Sequence, residues 1–160
     1  MQTTYSYSTP IGQPGALVDL SWHEIDSFAN ENNDGVMKFG MGVVRGTAAG
    51  KQVKVPASGA TAANFEGIVV NKPAIENTMF GGPVLRKNHT VGVMRYGRIY
   101  GLLAENVEPA YGDPVYLVVD GDDAGCFTTV STDNVAIKGR FLGAGAEGIA
   151  PIELFNEAQA

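Results

Sequence analysis

Apolar residues in this chain come in short stretches separated by Gly, Pro, Asn and Asp, and no stretch holds a 3.6-residue period for twelve residues. That spacing predicts strands joined by tight turns rather than helices. Ala16 to Leu20 reads as a first extended stretch, and Ile25 to Ala29 fits either a strand or one helical turn. Asn30 to Gly35 (NENNDG) is a turn, since Asn and Asp tolerate left-handed backbone and Gly supplies positive φ. Gly40 to Arg45 and Gln52 to Val55 follow as strands around Ala49-Gly50, and Phe65 to Asn71 is another. Thr90 to Leu103 carries the clearest alternation: Val91, Val93, Arg95, Gly97 and Ile99 on one face, Gly92, Met94, Tyr96, Arg98 and Tyr100 on the other. Val115 to Val119 and Cys126 to Val130 flank the connection Asp120 to Gly125. Lys138 to Leu142 and Ile149 to Phe155 form a last pair around Gly143 to Gly148. The expected fold is all-β: an antiparallel β-sandwich or barrel, jelly-roll-like or a small barrel.

Residues 1–14 (MQTTYSYSTPIGQP) stand apart, with no charged side chain and no helical period. They read as an extended N-terminal arm, frayed or ordered against a neighbour, ahead of a single β domain over residues 15–160. Two tyrosines, Tyr5 and Tyr7, favour the neighbour, because Tyr supplies contact area at low entropy cost.

Composition narrows the class. A chain of 160 residues with 44% hydrophobic residues buries a core without needing a disulfide or metal. With one cysteine, Cys126, neither an internal disulfide nor a cysteine metal site can form. The arm lacks the basic-then-apolar order of a signal peptide, and no apolar run approaches the ~18 residues that span a membrane. The expectation is therefore a soluble protein made in a reducing cytoplasm, and no membrane partner.

Charge is distributed in blocks. Residues 1–34 carry −5, residues 35–100 carry +7 and residues 101–160 carry −8. Such blocks pair within one fold, pair between subunits, or steer a partner. The overall charge of −6 argues against nucleic acid, whose phosphates need a dominant basic face. The densest basic patch is Arg86, Lys87, His89, Arg95 and Arg98, interleaved with Met94, Tyr96 and Tyr100. It is either a solvated face or a surface for an acidic protein partner.

Catalytic constellations fail one by one. Gly143-Ala-Gly-Ala-Glu-Gly148 matches G-x-G-x-x-G, yet Pro151 follows and too little chain remains for the helix that would hold a pyrophosphate. Asp120, Asp122 and Asp123 surround a glycine, but the twelfth loop position is Ser131 rather than Glu, so the calcium-loop pattern breaks. His23 and His89 are too few for a three-histidine zinc site. There is no G-x-S-x-G elbow, and Cys126 reads as an inert buried thiol. Pro14 to Asp19 is faintly like a trimeric dUTPase motif, at the wrong spacing and without a following Arg-Gly-Glu. The sequence predicts no enzyme and no cofactor or metal.

In order and spacing, several segments together are more specific than any alone. These are Pro14-Gly-Ala-Leu-Val-Asp19, Ile25-Asp-Ser27, Phe39-Gly-Met-Gly-Val-Val-Arg-Gly46, Val53-Lys-Val-Pro56 and Phe65-Glu-Gly-Ile-Val69. Val93-Met-Arg-Tyr-Gly-Arg-Ile99, Tyr111-Gly-Asp-Pro-Val-Tyr116, Gly139-Arg-Phe-Leu142 and Ile152-Glu-Leu154 complete the set. So ordered, the chain resembles the structural cement, or head-decoration, proteins of tailed bacteriophages, with departures at Asn30 to Gly35 and Ala74 to Pro83. The resemblance implies a non-enzymatic protein on the outer surface of the virion capsid. It would bind an HK97-fold major capsid protein, bridge neighbouring subunits, and form a homo-dimer or homo-trimer. On this reading Tyr5, Tyr7, Arg86, Lys87, Arg95 and Arg98 are the expected capsid or oligomer contacts. The alternative is a virion-surface β-sandwich module that binds a glycan or a cation, for which exposed aromatics in a groove would speak.

Overall fold

The computed structural model describes residues 12–72 and 84–156. Nine strands follow in chain order: β1 (Glu24–Asn30), β2 (Gly42–Arg45), β3 (Gln52–Lys54), β4 (Phe65–Val69), β5 (Thr90–Leu102), β6 (Pro114–Leu117), β7 (Phe127–Thr128), β8 (Val135–Phe141) and β9 (Ile149–Leu154). The only helical piece among the described residues is a 3-10 turn at Ala62–Asn64. The all-β expectation holds, and Ile25 to Ala29 resolves as strand.

Two rings share one long strand. β1, β3, β2 and β4 pair in that order, and β5 closes the circuit by pairing with both β4 and β1. Every step is antiparallel except β1–β3, where Ala29 lies opposite Gln52 in parallel. Closure turns alternate side chains inward. Phe28, Val43, Val53, Val69, Val91 and Val93 fill this barrel, with Met37, Phe39 and Leu85 packed into the same cluster. The second half of β5 runs on into β9, β8, β6 and β7. A parallel bridge from Leu103 to Phe127 returns that sheet to the end of β5. Its core holds Ile99, Val115, Leu117, Phe127, Phe141, Ile152 and Leu154, packed with Val44, Ile68 and Met94 from the first barrel's strands.

β5 changes phase where it passes from one ring to the other. Glu24 pairs with Tyr96 but Ile25 with Met94, so Arg95 is the extra residue of a β-bulge. The strict alternation expected from Thr90 to Leu103 therefore breaks. Val93 and Met94 are both fully buried, in different cores, and Ile99 joins Met94 rather than Val93. Gly97 follows at φ +125, and a Cβ there would lie 2.6 Å from His23 Cβ, so the bend needs glycine.

The stretch Ala16 to Leu20 is a strand only in part. Gly15 N–H donates to Tyr100 O at 2.8 Å and Val18 N–H to Arg98 O at 3.1 Å, with Leu17 bridged to Ile99; beyond Val18 the chain bends away. This segment covers the side of β5 that β9 leaves open. Gly143 to Gly148 is the connection between the antiparallel strands β8 and β9, a glycine-rich hairpin.

Candidate functional site

Beyond the bulge, Arg98, Tyr100 and Leu102 stand on the outer face of β5 at two-residue intervals, while Gly97, Ile99 and Gly101 are buried beneath. Tyr96 meets the loop before β1. Trp22 Nε1–H donates to the Tyr96 hydroxyl at 2.5 Å, which fixes the indole although Trp22 is 84% exposed. Leu20, two residues earlier, is 93% exposed, and Phe155 is 46% exposed. A cleft of about 750 Å³ lies beside Trp22, lined by Trp22, Tyr96, Arg98, Glu153 and Phe155. Three large apolar side chains, Leu20, Trp22 and Phe155, are thus exposed on this side of the protein.

The rim of the cleft is charged but self-neutralised. Arg98 Nη1 donates to Asp19 Oδ2 at 2.9 Å and its Nε to Glu153 Oε1 at 3.2 Å. Arg140 Nε donates to the other oxygen of Glu153 at 2.8 Å, and its guanidinium lies 5.4 Å from the Tyr111 ring centroid. The hydroxyl and backbone N–H of Ser21, with Arg98 behind them, pull the Asp19 carboxyl from 3.8 down to about 2. Hydrogen bonds to Asp19 and Glu153 raise Arg98 above its ordinary value.

A second ion network sits at the bulge. Glu66 is only 7% exposed and takes Arg45 Nε at 3.1 Å and Arg95 Nη2 at 3.4 Å, while Arg95 Nη1 reaches Asp26 at 3.2 Å. The bulge aims Arg95 at both acids at once. Arg86 and Lys87 lie at the opposite end, in the turn before β5. Asp34 accepts from Arg86 Nη1 at 3.5 Å and from the Lys87 backbone N–H at 2.9 Å. Buried Asn30 holds this turn, its Nδ2 donating to the carbonyls of Leu85 and Arg86.

The six residues expected to make contacts are thus dispersed. Arg86 and Lys87 share one turn, Arg95 and Arg98 stand eight or more residues further along β5 and bind acids of this chain, and Tyr5 and Tyr7 lie outside the described residues. Of the charge blocks, the intramolecular pairing is seen in Asp19–Arg98, Asp26–Arg95 and Asp34–Arg86. Sequence reasoning did not single out the Trp22–Tyr96–Phe155 cleft. Trp22 and Tyr96 are 74 residues apart and Phe155 is further still from Trp22, and the one available signal was Leu20 and Trp22, two large apolar residues in a segment without period.

The remaining candidates bear no such site. Asp120 accepts from Gly121 N–H and Asp123 from Glu105 N–H, and no group of three His, Cys, Asp or Glu among the described residues is placed to hold a metal. Burial, aided by Asp123, pushes the Cys126 thiol up to about 11, which leaves it unreactive at neutral pH. His23 Nδ1 lies 2.8 Å from the Ser21 carbonyl oxygen and braces the Trp22 loop.

A model of the structural cement proteins, typified by E217 gp24 and Pam3 gp6, matches residues 1–155. The chain belongs to the structural cement protein family. Membership makes this cement-family chain a structural component of a phage capsid. Its fold is also that of a solved chain from the capsid of the myovirus phage XM1, at 18% identity and a TM-score of 0.76 over 96% of both chains. No curated protein matches it.

Proposed function

We propose that this cement protein binds the outside of the assembled head, bridges neighbouring subunits of an HK97-fold major capsid protein, and does so as a homo-dimer or homo-trimer. It performs no reaction and needs no cofactor. The observation that carries this reading is the family match over residues 1–155. Supporting it is a fold whose two closed rings offer contacts through side chains rather than open strand edges. Arg86 and Lys87, half-exposed at one end of β5, are the charged contacts proposed toward the shell; Arg95 and Arg98 add the N–H donors their own ion pairs leave over.

Stabilisation follows from mass action. A protein that binds only the assembled, expanded shell lowers its free energy by RT ln(1 + [L]/Kd) per site, about 2.7 kcal/mol at one hundred times Kd. Co-sedimentation tests this: purified protein is mixed with expanded and unexpanded empty shells of the capsid protein from the same genome. Saturable binding to expanded shells at fixed stoichiometry is expected. Absence of binding to both forms would overturn the proposal.

A further inference from the structure

The Trp22–Tyr96–Phe155 cleft asks for an occupant. Its apolar walls are exposed, and its rim charges, Asp19, Arg98, Glu153 and Arg140, already neutralise one another. Trp, Tyr and Arg are the side chains that dominate the centres of protein interfaces. A charged partner segment would bury an uncompensated charge against this balanced rim, at high cost. An uncharged, aromatic segment would not. Residues 1–14 of this same chain are such a segment: no charged side chain, with Tyr5 and Tyr7.

Direction decides whose arm it is. Gly15 to Val18 runs antiparallel to Arg98–Tyr100, so the chain followed back from Val18 to Gly12 heads past Tyr100, away from Tyr96 and Trp22. Gly12 packs on the Tyr100 ring at this departing end. An arm of eleven residues reaches at most ~36 Å when extended. Counted from Gly12, an extended chain gives Tyr5 and Tyr7 a reach of at most roughly 17–24 Å, long enough to meet a second copy.

We propose that the arm of one copy, residues 1–11, docks through Tyr5 and Tyr7 in the Trp22–Tyr96–Phe155 cleft of a second copy. Reciprocal exchange closes a dimer, and a cyclic handover closes a trimer. The inference rests on the homo-oligomer reading above and names the contact that builds it.

Full-length Tyr5→Cys and Ser21→Cys proteins, mixed under mild oxidation, test it. Buried Cys126 stays out of the exchange. A two-chain product containing one of each variant is expected to predominate. Crosslinking within a single chain that carries both substitutions, with none in the mixture, overturns the proposal, as does no crosslink at all or a predominance of like-with-like products. Trp22, the sole tryptophan, gives an independent readout. A Tyr5→Ala/Tyr7→Ala protein should weaken self-association by roughly tenfold or more and shift Trp22 emission to the red; unchanged emission overturns the proposal. Neither assay contains shells. A protein that crosslinks between chains but ignores shells therefore sinks the capsid-binding reading alone, and one that binds shells without the crosslink sinks the arm alone.

Discussion

Asp19 and Arg98, 79 residues apart, are joined at 2.9 Å across the seam where the segment before β1 lies against β5. The pair holds the Trp22 loop to the long strand and makes that attachment sensitive to acid. Asp19 titrates near 2 in the fold and 3.8 without it. A carboxyl lowered by folding adds stability that is fully present above its unfolded value and is lost as pH falls through the folded one. Thermal midpoints should therefore decline between about pH 4 and pH 2, and Asp19→Asn should flatten that limb. A pH series of melting curves for the two proteins checks this; the Arg98 share of the difference should shrink in high salt, while the larger share from the Ser21 hydrogen bonds persists.

The Glu66 network should behave as a unit. Either arginine alone still partners the buried carboxylate, so Arg45→Ala or Arg95→Ala should cost about 1–2 kcal/mol. The double variant leaves Glu66 bare and should cost more than the sum of the singles. Urea titrations of the four proteins measure the coupling.

Gly67 sits at φ +146, where an added Cβ would strike the Met94 carbonyl on the neighbouring strand. Gly67→Ala should cost more than ~2 kcal/mol through strain and a broken β4–β5 ladder. A fall in thermal midpoint or loss of soluble protein is the expected outcome.

The turn at Arg86 and Lys87 predicts the reverse. Arg86→Ala/Lys87→Ala removes half-exposed side chains while the Asp34 bond to the Lys87 backbone remains, so stability should move by only ~0.5 kcal/mol. If this turn faces the shell, co-sedimentation should weaken and lose part of its salt dependence.

Cys126 should be silent to a thiol reagent in the native protein, and one thiol per chain should appear on unfolding. Reaction of the native protein at neutral pH would contradict its burial and raised pKa.

Local chemistry made much of the fold legible. The alternating valines at 91 and 93, the polar-apolar order of Gln52 to Val55, and glycine or asparagine at the turns mark where strands start and stop. What depends on pairing was hidden. The bulge at Arg95 arises because Glu24 and Ile25 meet residues two apart, and nothing in Met94-Arg95-Tyr96 signals that. The cleft was hidden for the same reason: Trp22, Tyr96 and Phe155 are brought together only by the crossing of three distant segments. The charge blocks hinted at pairing but not at which acid meets which arginine.

β5 is gripped on both sides for most of its length, by β1 and β4 over its first half and by β9 and Gly15–Val18 over its second. A pull along the strand is met by hydrogen bonds loaded side by side in shear rather than peeled one after another. The strand thus works as a tie rod between the two barrels, so tension entering at the Arg86 end is carried past the bulge to the Leu102 end without either barrel having to open.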